Sequence, residues 1–139
     1  MNATSHDILV KTTSKTDIID ITPLVKQEMS DRTPDNGLLT LFIPGSTAAL
    51  TTIEYESGVV DDLKMAIERM APEGLHYKHN ERWNDGNGYA HVRAALIGPS
   101  LNIPIVNRTL TLGTWQQIVL LDFDNRPRQR RIILQILGE

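Results

Sequence analysis

The sequence predicts a single α+β domain in which helices pack on a mixed or antiparallel β-sheet. A chain of 139 residues fits one compact domain with one hydrophobic core. Short runs of alternating or continuous apolar residues, typical of strands, occur in both halves of the chain. Between them lies one long segment with apolar residues at three- and four-residue steps, typical of an amphipathic helix. We therefore expect residues 1–139 to form one domain.

Four strands and two helices are predicted in the first half of the chain. The strands are expected at residues 8–10, 19–21, 38–44 and 50–55. Residues 23–30 are expected to form a helix, because Thr22 is an N-cap candidate and Pro23 suits the first helical position. Residues 59–70 form the clearest amphipathic helix, which Pro72 ends.

The second half is predicted to contain one short helix and four more strands. The helix covers residues 89–97 and stops at Gly98-Pro99. Strands are expected at residues 103–106, 109–112, 118–123 and 132–137, the last two joined as a hairpin through 124–131. Continuous apolar runs at 118–121 and 132–134 predict strands covered on both faces, by helices or by another subunit.

Composition and charge exclude several classes of function. A net charge of -3 provides no broad basic surface, so neither nucleic acid nor a membrane is an expected partner. The absence of cysteine excludes disulfides, zinc–cysteine sites and thiol catalysis, and agrees with a reducing cytosol. The sequence has no apolar run of about 18 residues and no signal-peptide pattern. A cytoplasmic protein is expected.

Histidines and acidic residues of the turn-rich segment 76–93 indicate a candidate metal site. His79 and His91, with Asp85 or Glu54, would make an N/O ligand set for zinc or another divalent ion. Their spacing matches no short ligand signature, so spacing alone favours ordinary surface or hydrogen-bonding histidines. Glu54 and Glu56 share one face of a predicted strand, either as a solvated face or as a metal or general-base site.

Two glycine-containing loops are candidate anion sites. Residues 85–88 (DGNG) form a turn that would also expose backbone N–H groups at the start of the helix carrying His91 and Arg93. Residues 44–47 (PGST) are either a tight connector or an anion cradle lined by hydroxyl groups. Neither loop has the spacing of a P-loop.

Two further polar segments have open interpretations. Trp115-Gln116-Gln117 is either core packing or an edge that contacts a ligand. Four arginines in the predicted last hairpin are expected to form an exposed turn, because no aromatic residue is interleaved with them. They are Arg126, Arg128, Arg130 and Arg131.

Four short blocks resemble, in order, the signature blocks of the YjbQ-like family. They are residues 44–50 (PGSTAAL), 85–96 (DGNGYAHVRAAL), 98–104 (GPSLNIP) and 112–117 (LGTWQQ). The likeness runs from about residue 38 to residue 137. It implies a half-barrel sheet with helices packed on it, assembled as a homotrimer with sites near subunit interfaces.

The resemblance also implies a pocket for a divalent ion, Mg²⁺ or Zn²⁺, or for a small phosphorylated ligand. The resemblance places His79 and His91 in this pocket, where we expect Glu54 and Asp85 to complete the metal site and Arg93 to act in catalysis with the two histidines. The residues expected to bind substrate or anion are Ser46, Thr47, Asn87, Gly88, Trp115 and Gln116.

The activity that the resemblance implies is a secondary thiamine-phosphate synthase reaction, which would make the protein a transferase. This reaction joins hydroxymethylpyrimidine diphosphate to thiazole phosphate and releases pyrophosphate. The alternative is a non-catalytic trimeric protein that binds a metal, an anion or another small ligand.

Gly45 is a departure from the family pattern. Many relatives read His-Thr-Thr-Ala-Ala where this chain reads GSTAA at residues 45–49. Glycine offers no ligand atom, so a three-histidine metal site cannot form as such. Either Glu54 or Glu56 supplies the missing ligand, or the site binds only an anion.

Overall fold

The computed structural model describes residues 1–139 and contains eight strands and four α-helices. The strands are β1 (Asn2–Lys11), β2 (Asp17–Asp20), β3 (Asn36–Phe42), β4 (Ala48–Ile53), β5 (Ser100–Val106), β6 (Thr109–Leu110), β7 (Gln117–Asp122) and β8 (Gln129–Gly138). The helices are α1 (Thr22–Met29), α2 (Ser57–Met70), α3 (Lys78–Trp83) and α4 (Gly88–Ile97), and a 3-10 turn, Ser30–Arg32, follows α1. None of these helices is both long enough and apolar enough to cross a membrane.

The strands form two sheets in which every pair of neighbours is antiparallel. The five-stranded sheet has the order β1-β8-β3-β5-β6, and the three-stranded sheet has the order β2-β7-β4. The predicted α+β class and the half-barrel with packed helices are confirmed. Of the two sheet types that the sequence left open, the structure has the antiparallel one.

The three-stranded sheet is the middle layer, and β7 is buried on both faces. Ile118 and Leu120 face the main core between the two sheets, which α1 also helps to close. Val119 and Leu121 face a second core, where α2 contributes Ile67 and α4 packs beside it. The alternation along β7 thus places successive side chains in two different cores. Two-sided cover of this strand is confirmed, and it comes from the other sheet on one face and helices on the other.

The predicted hairpin between the last two strands is wrong. β7 pairs with β2 and β4, whereas β8 pairs with β1 and β3 in the other sheet. The segment between them therefore crosses from one sheet to the other. β8 also has only one fully covered face in the single chain, because Ile132 and Leu134 are buried while Ile133 is half-buried on the outer face.

Two local features differ from the sequence prediction. The segment predicted to be turns contains the six-residue helix α3. The long helix α2 begins before residue 59, because the Glu56 side chain caps it by accepting hydrogen bonds from Gly58 N (2.6 Å) and Val59 N (3.1 Å). Glu56 is therefore a helix cap and lies outside β4, which ends at Ile53.

Candidate functional site

A polar cleft of about 430 Å³ opens at the end of the three-stranded sheet. The connector that precedes β4, helix α3, the loop before α4 and the segment after β7 all contribute to it. Its lining consists of Gly45, Ser46, Thr47, His79, Trp83, Asp85, Asn87, His91, Arg128 and Arg130. The structure therefore brings the two glycine-containing loops and both candidate histidines together in one cleft.

The buried carboxylate of Asp124 forms the floor of the cleft. Its Oδ2 accepts hydrogen bonds from Arg128 Nη2 (2.6 Å) and Thr47 Oγ1 (3.1 Å). Its Oδ1 accepts from Asn125 N (2.8 Å) and Asn87 Nδ2 (3.3 Å). Burial alone would raise the pKa of Asp124, but these hydrogen bonds outweigh it and lower the pKa below its ordinary value. Asp124 is therefore charged at neutral pH.

A second buried ion pair fixes the connector before β4. Arg130 Nε donates to Asp122 Oδ2 (2.5 Å), and Arg130 Nη2 donates to Thr47 Oγ1 (2.7 Å). The Thr47 hydroxyl thus accepts one hydrogen bond and donates another to Asp124. Its carbonyl also accepts from Phe123 N (3.0 Å). Thr47 therefore fastens the connector to the floor, and Ser46 carries the exposed hydroxyl of this loop.

His79, Asp85 and Asn87 converge on one side of the cleft. His79 Nε2 lies 3.1 Å from Asp85 Oδ1 and 3.0 Å from Asn87 Oδ1. The same end of the Asn87 amide lies 2.9 Å from Asp85 Oδ1. Neighbouring ligands of an octahedral ion with metal–ligand distances of about 2.1 Å are about 3.0 Å apart. These separations are those of direct hydrogen bonds, and they also equal the spacing of ligands on one face of a small octahedral cation.

The amide of Asn87 is essential to this arrangement. Nowhere in the chain do three histidine, aspartate or glutamate side chains form a metal-binding cluster by themselves. The amide also lies between two carboxylates, those of Asp85 and Asp124, and has only one NH₂ group to donate. With that NH₂ group directed to Asp124, its oxygen faces Asp85 Oδ1, and two such oxygens repel each other unless a cation or a proton lies between them. In the reverse orientation the NH₂ group donates to both His79 Nε2 (3.0 Å) and Asp85 Oδ1 (2.9 Å), and the amide oxygen faces Asp124.

His91 forms the wall beside His79. The two ring centroids are 4.3 Å apart, with the ring planes inclined by 49°. Burial and the neighbouring His79 lower the pKa of His91, and this effect outweighs the opposing influence of the Asp85 and Asp124 carboxylates and of the Ser46 backbone. His91 is therefore neutral at pH 7.

Three of the residues predicted to form the site lie at the far end of the middle sheet. β4 and β7 pair from Ala48–Asp122, next to the cleft, to Ile53–Gln117. Five residue steps along a strand span about 17 Å. Glu54, Trp115 and Gln116 adjoin the far pair, so they do not line the cleft, and Gln116 instead donates to Thr52 Oγ1 (3.0 Å).

Arg93 also lies outside the cleft, contrary to the sequence prediction. Its guanidinium donates to Glu68 Oε2 (2.5 Å) and to the Ala71 carbonyl (2.9 Å), and it stacks over the Tyr89 ring at 4.9 Å. Two positions along a helix are about 200° apart, so Arg93 faces away from the cleft that His91 lines. Arg93 joins α4 to the end of α2.

Gly88 is buried and has a packing role. A Cβ atom at this position would lie 2.5 Å from Tyr77 Cβ. Its N–H group donates to Asn80 Oδ1 (2.9 Å) and is not free to bind an anion. The expectation that Gly88 contacts a ligand is therefore not met.

Sequence reasoning missed the floor of the cleft. It expected an exposed turn for all four arginines, whereas Arg128 is half-buried and Arg130 is buried in ion pairs with aspartates. The available signal was a period of two: Asp122 ends the buried strand β7 and Asp124 follows two positions later, and Arg128 and Arg130 are spaced in the same way. Trp83, at the end of an unpredicted helix, carried no such signal.

Gly45 adopts a backbone conformation that favours glycine. Its φ angle is +131°, and a Cβ atom would lie 3.3 Å from Arg130 Nη1. Neither Glu54 nor Glu56 reaches the position that a side chain at residue 45 would occupy. The alternative ligands proposed for the missing histidine are therefore absent from the cleft.

Comparison with known proteins gives a consistent result. The family described as UPF0047 protein YjbQ-like matches residues 6–139. A UPF0047 protein of Archaeoglobus fulgidus is 38% identical over 131 residues, covering 94% of this chain and 99% of that protein. One from Methanothermobacter thermautotrophicus is 33% identical over 139 residues, covering 100% and 95%.

Solved structures show the same fold. A YbjQ-like protein of unknown function from Sulfolobus solfataricus P2 has a TM-score of 0.93 and 33% identity, covering 99% of both chains. A hypothetical protein from Aeropyrum pernix K1 has a TM-score of 0.91 and 34% identity, covering 98% of this chain and 99% of that one. This chain therefore belongs to the YjbQ-like family, UPF0047.

Proposed function

We propose that the cleft binds a small phosphorylated molecule together with a divalent cation. The observation that carries this proposal is the convergence of His79, Asp85 and Asn87 beside a loop rich in unpaired N–H groups. A cation site and an anion site in one cleft suit a metal–phosphate ligand.

The spacing of the three cation-binding side chains favours a hard ion. The ligand atoms are 2.9–3.1 Å apart, close to the octahedral edge of about 3.0 Å for Mg²⁺. A tetrahedral zinc site has edges of about 3.3 Å. When the Asn87 NH₂ group is turned to Asp124, two of the three groups, the Asp85 carboxylate and the Asn87 amide, supply oxygen, which Mg²⁺ and Mn²⁺ prefer.

Backbone N–H groups and one arginine support phosphate binding. The N–H groups of Gly45, Ser46, Thr47 and Asp85 donate no hydrogen bond within the chain. Successive free N–H groups of this kind bind phosphate oxygens in many proteins. The Ser46 hydroxyl and the partly exposed Arg128 guanidinium are further donors.

The charges around the cleft favour joint binding of cation and phosphate. Three carboxylates, those of Asp85, Asp122 and Asp124, face two guanidinium groups, those of Arg128 and Arg130. These five groups together have one net negative charge, which repels an anion alone. A bound divalent cation makes the net charge of the cleft positive, and the cleft then attracts phosphate.

As the reaction, we propose the transfer that the family resemblance implies, formation of thiamine phosphate. Ser46, the connector N–H groups and Arg128 would hold the diphosphate of the pyrimidine substrate. His79, Asp85 and Asn87 would hold the ion, which supplies electrostatic stabilisation of the departing pyrophosphate. As the pyrimidine methylene carbon loses pyrophosphate, the thiazole nitrogen donates its electron pair to that carbon.

A second candidate is a non-catalytic binding protein that uses the same cleft. Gly45 favours it. The family resemblance implies a histidine at this position, and glycine provides neither a proton-transfer group nor a ligand atom. As proposed here, both candidates bind a cation and a phosphate in this cleft. They differ in whether the bound ligand is converted to a product.

A homotrimer remains part of the proposal, supported by the outer face of the five-stranded sheet. Exposed apolar side chains on this face include Leu9, Phe42 and Val106. A row of polar side chains also crosses four adjacent strands, formed by Ser5, Gln135, Thr40 and Asn102. Protein–protein interfaces combine apolar contacts with hydrogen-bonding side chains, and this face offers both.

The decisive experiment separates binding from turnover. We expect Mn²⁺ and inorganic pyrophosphate to bind together by titration calorimetry, each strengthening the other. Incubation with hydroxymethylpyrimidine diphosphate, thiazole phosphate and Mg²⁺ should release thiamine phosphate and pyrophosphate. Joint binding without product would support the binding protein, and no binding of either probe would overturn both candidates. Light scattering should give three times 15.6 kDa, and a monomer would contradict the trimer.

A further inference from the structure

Trp83 is placed to contact whatever occupies the cleft. It is the last residue of α3 and follows His79 by four positions, so the two side chains share one face of the helix. Both line the cleft. The α3 helix thus positions an indole ring beside the side chains that converge on the cation site.

Trp83 is also the one apolar side chain in the lining. The other nine lining residues are charged, polar or glycine. The indole is 66% exposed although it adjoins a polar cleft. A large flat apolar surface next to phosphate donors is suited to a ligand that has both a ring and a phosphate.

The other tryptophan is far from this cleft within the chain. Trp115 precedes β7 at the end that pairs with Ile53, about 17 Å along the strands from the Ala48–Asp122 pair. It is 72% exposed. In the single chain, only Trp83 is positioned to stack on a cleft ligand, and Trp115 provides a matched control of similar exposure.

We propose that Trp83 forms a ring-binding subsite, so that the preferred ligand is a planar heteroaromatic ring carrying a phosphate or diphosphate. This inference rests on the proposed function, because the phosphate must occupy the adjacent donors. The ring lies flat on the indole, and its phosphates reach the connector N–H groups and the cation. Trp83 determines ligand specificity and takes no part in cation binding.

The test compares two probes that differ in the ring, inorganic pyrophosphate and hydroxymethylpyrimidine diphosphate, both with Mg²⁺. Stacking of one ring on an aromatic side chain strengthens binding by roughly tenfold or more. We expect the unsubstituted protein to bind the ring-bearing probe more tightly by at least this factor. Trp83→Ala should bind both probes alike, whereas Trp83→Phe and Trp115→Ala should keep the preference.

Fluorescence gives an independent readout, because the chain has two tryptophans. In Trp115→Phe the remaining Trp83 emission should be quenched by the ring-bearing probe and less by pyrophosphate. In Trp83→Phe the remaining Trp115 emission should not respond. Circular dichroism and light scattering of each variant establish that fold and assembly are retained.

The outcomes separate this inference from the function on which it rests. If pyrophosphate binds but Trp83→Ala retains the ring preference, the subsite is overturned and the metal–phosphate proposal stands. Quenching of the Trp115 emission instead of the Trp83 emission would lead to the same conclusion. If neither probe binds the unsubstituted protein, both proposals fail.

Discussion

Asn87 connects the buried Asp124 to His79 through the two ends of one amide. Asn87 Nδ2 is 3.3 Å from Asp124 Oδ1, and Asn87 Oδ1 is 3.0 Å from His79 Nε2. The orientation of a partly exposed histidine therefore depends on a carboxylate that no solvent reaches. Substitutions in the floor and in the wall of the cleft should have different effects for this reason.

Asp124→Asn should strongly destabilise the fold. The substitution removes the charge that pairs with Arg128 and lies near Arg130, and loss of one partner from a buried ion pair lowers the free energy of unfolding by about 3–5 kcal/mol. Urea denaturation measures the change. Asp85→Asn is the control, because Asp85 is exposed and its loss should change stability by less than about 1 kcal/mol. Equal midpoints for the two variants would show that the buried network is not stabilising.

His79→Ala should remove cation binding without unfolding the protein. One of three converging ligands is lost, so Mn²⁺ affinity measured by electron paramagnetic resonance should fall at least roughly tenfold. Stability should change by less than about 1 kcal/mol, because the side chain lies at the cleft surface. His76→Ala is the control, since His76 is exposed and contacts only Glu81. Unaltered Mn²⁺ binding in His79→Ala would refute histidine ligation.

Gly88→Ala should destabilise the start of α4. The added Cβ would lie 2.5 Å from Tyr77 Cβ, and such overpacking costs about 1–3 kcal/mol of unfolding free energy. Gly74→Ala provides the comparison, because no atom lies within 4 Å of the added Cβ and the change should be within about 1 kcal/mol. Thermal denaturation of both variants tests the prediction. Equal melting temperatures for Gly88→Ala and Gly74→Ala would show that Tyr77 moves aside without a measurable loss of stability.

Glu56→Ala should lower the melting temperature at pH 7 and lose this effect in acid. Hydrogen bonds from Gly58 and Val59 N–H groups lower the pKa of Glu56. A carboxylate with a lowered folded-state pKa stabilises the fold above its unfolded value, near 4.3, and this contribution disappears as pH falls through the folded pKa. Glu54→Ala is the neighbouring control outside the cap. If the difference between the two variants persists at pH 2, the cap does not depend on the charge.

Local patterns predicted the elements well and their partners less well. The helices over residues 59–70 and 89–97 were identifiable because their periodicity and stop signals are local. The assignment of β7 and β8 to different sheets was not, because neighbouring strands in sequence usually pair and no local pattern records an exception.

The candidate site was also predicted only in part, because local patterns do not record how distant segments pair. The glycine-containing loops and both histidines do meet in one cleft, which the family resemblance implied and turn chemistry alone did not. The family blocks placed Trp115 in the site, whereas the antiparallel register of β4 and β7 separates it from the cleft. Which of two tryptophans faces the cleft depends on strand length and register, which single residues do not reveal.

The pairing of the first strand with the last has a consequence for synthesis on the ribosome. β1 pairs only with β8, in a register that sets Asn2 opposite Gly138, and β8 also separates β1 from β3. The amino-terminal strand therefore emerges from the ribosome long before its only partner exists. Nascent chains should keep β1 available to chaperones, and the five-stranded sheet should close only after β8 has left the ribosome.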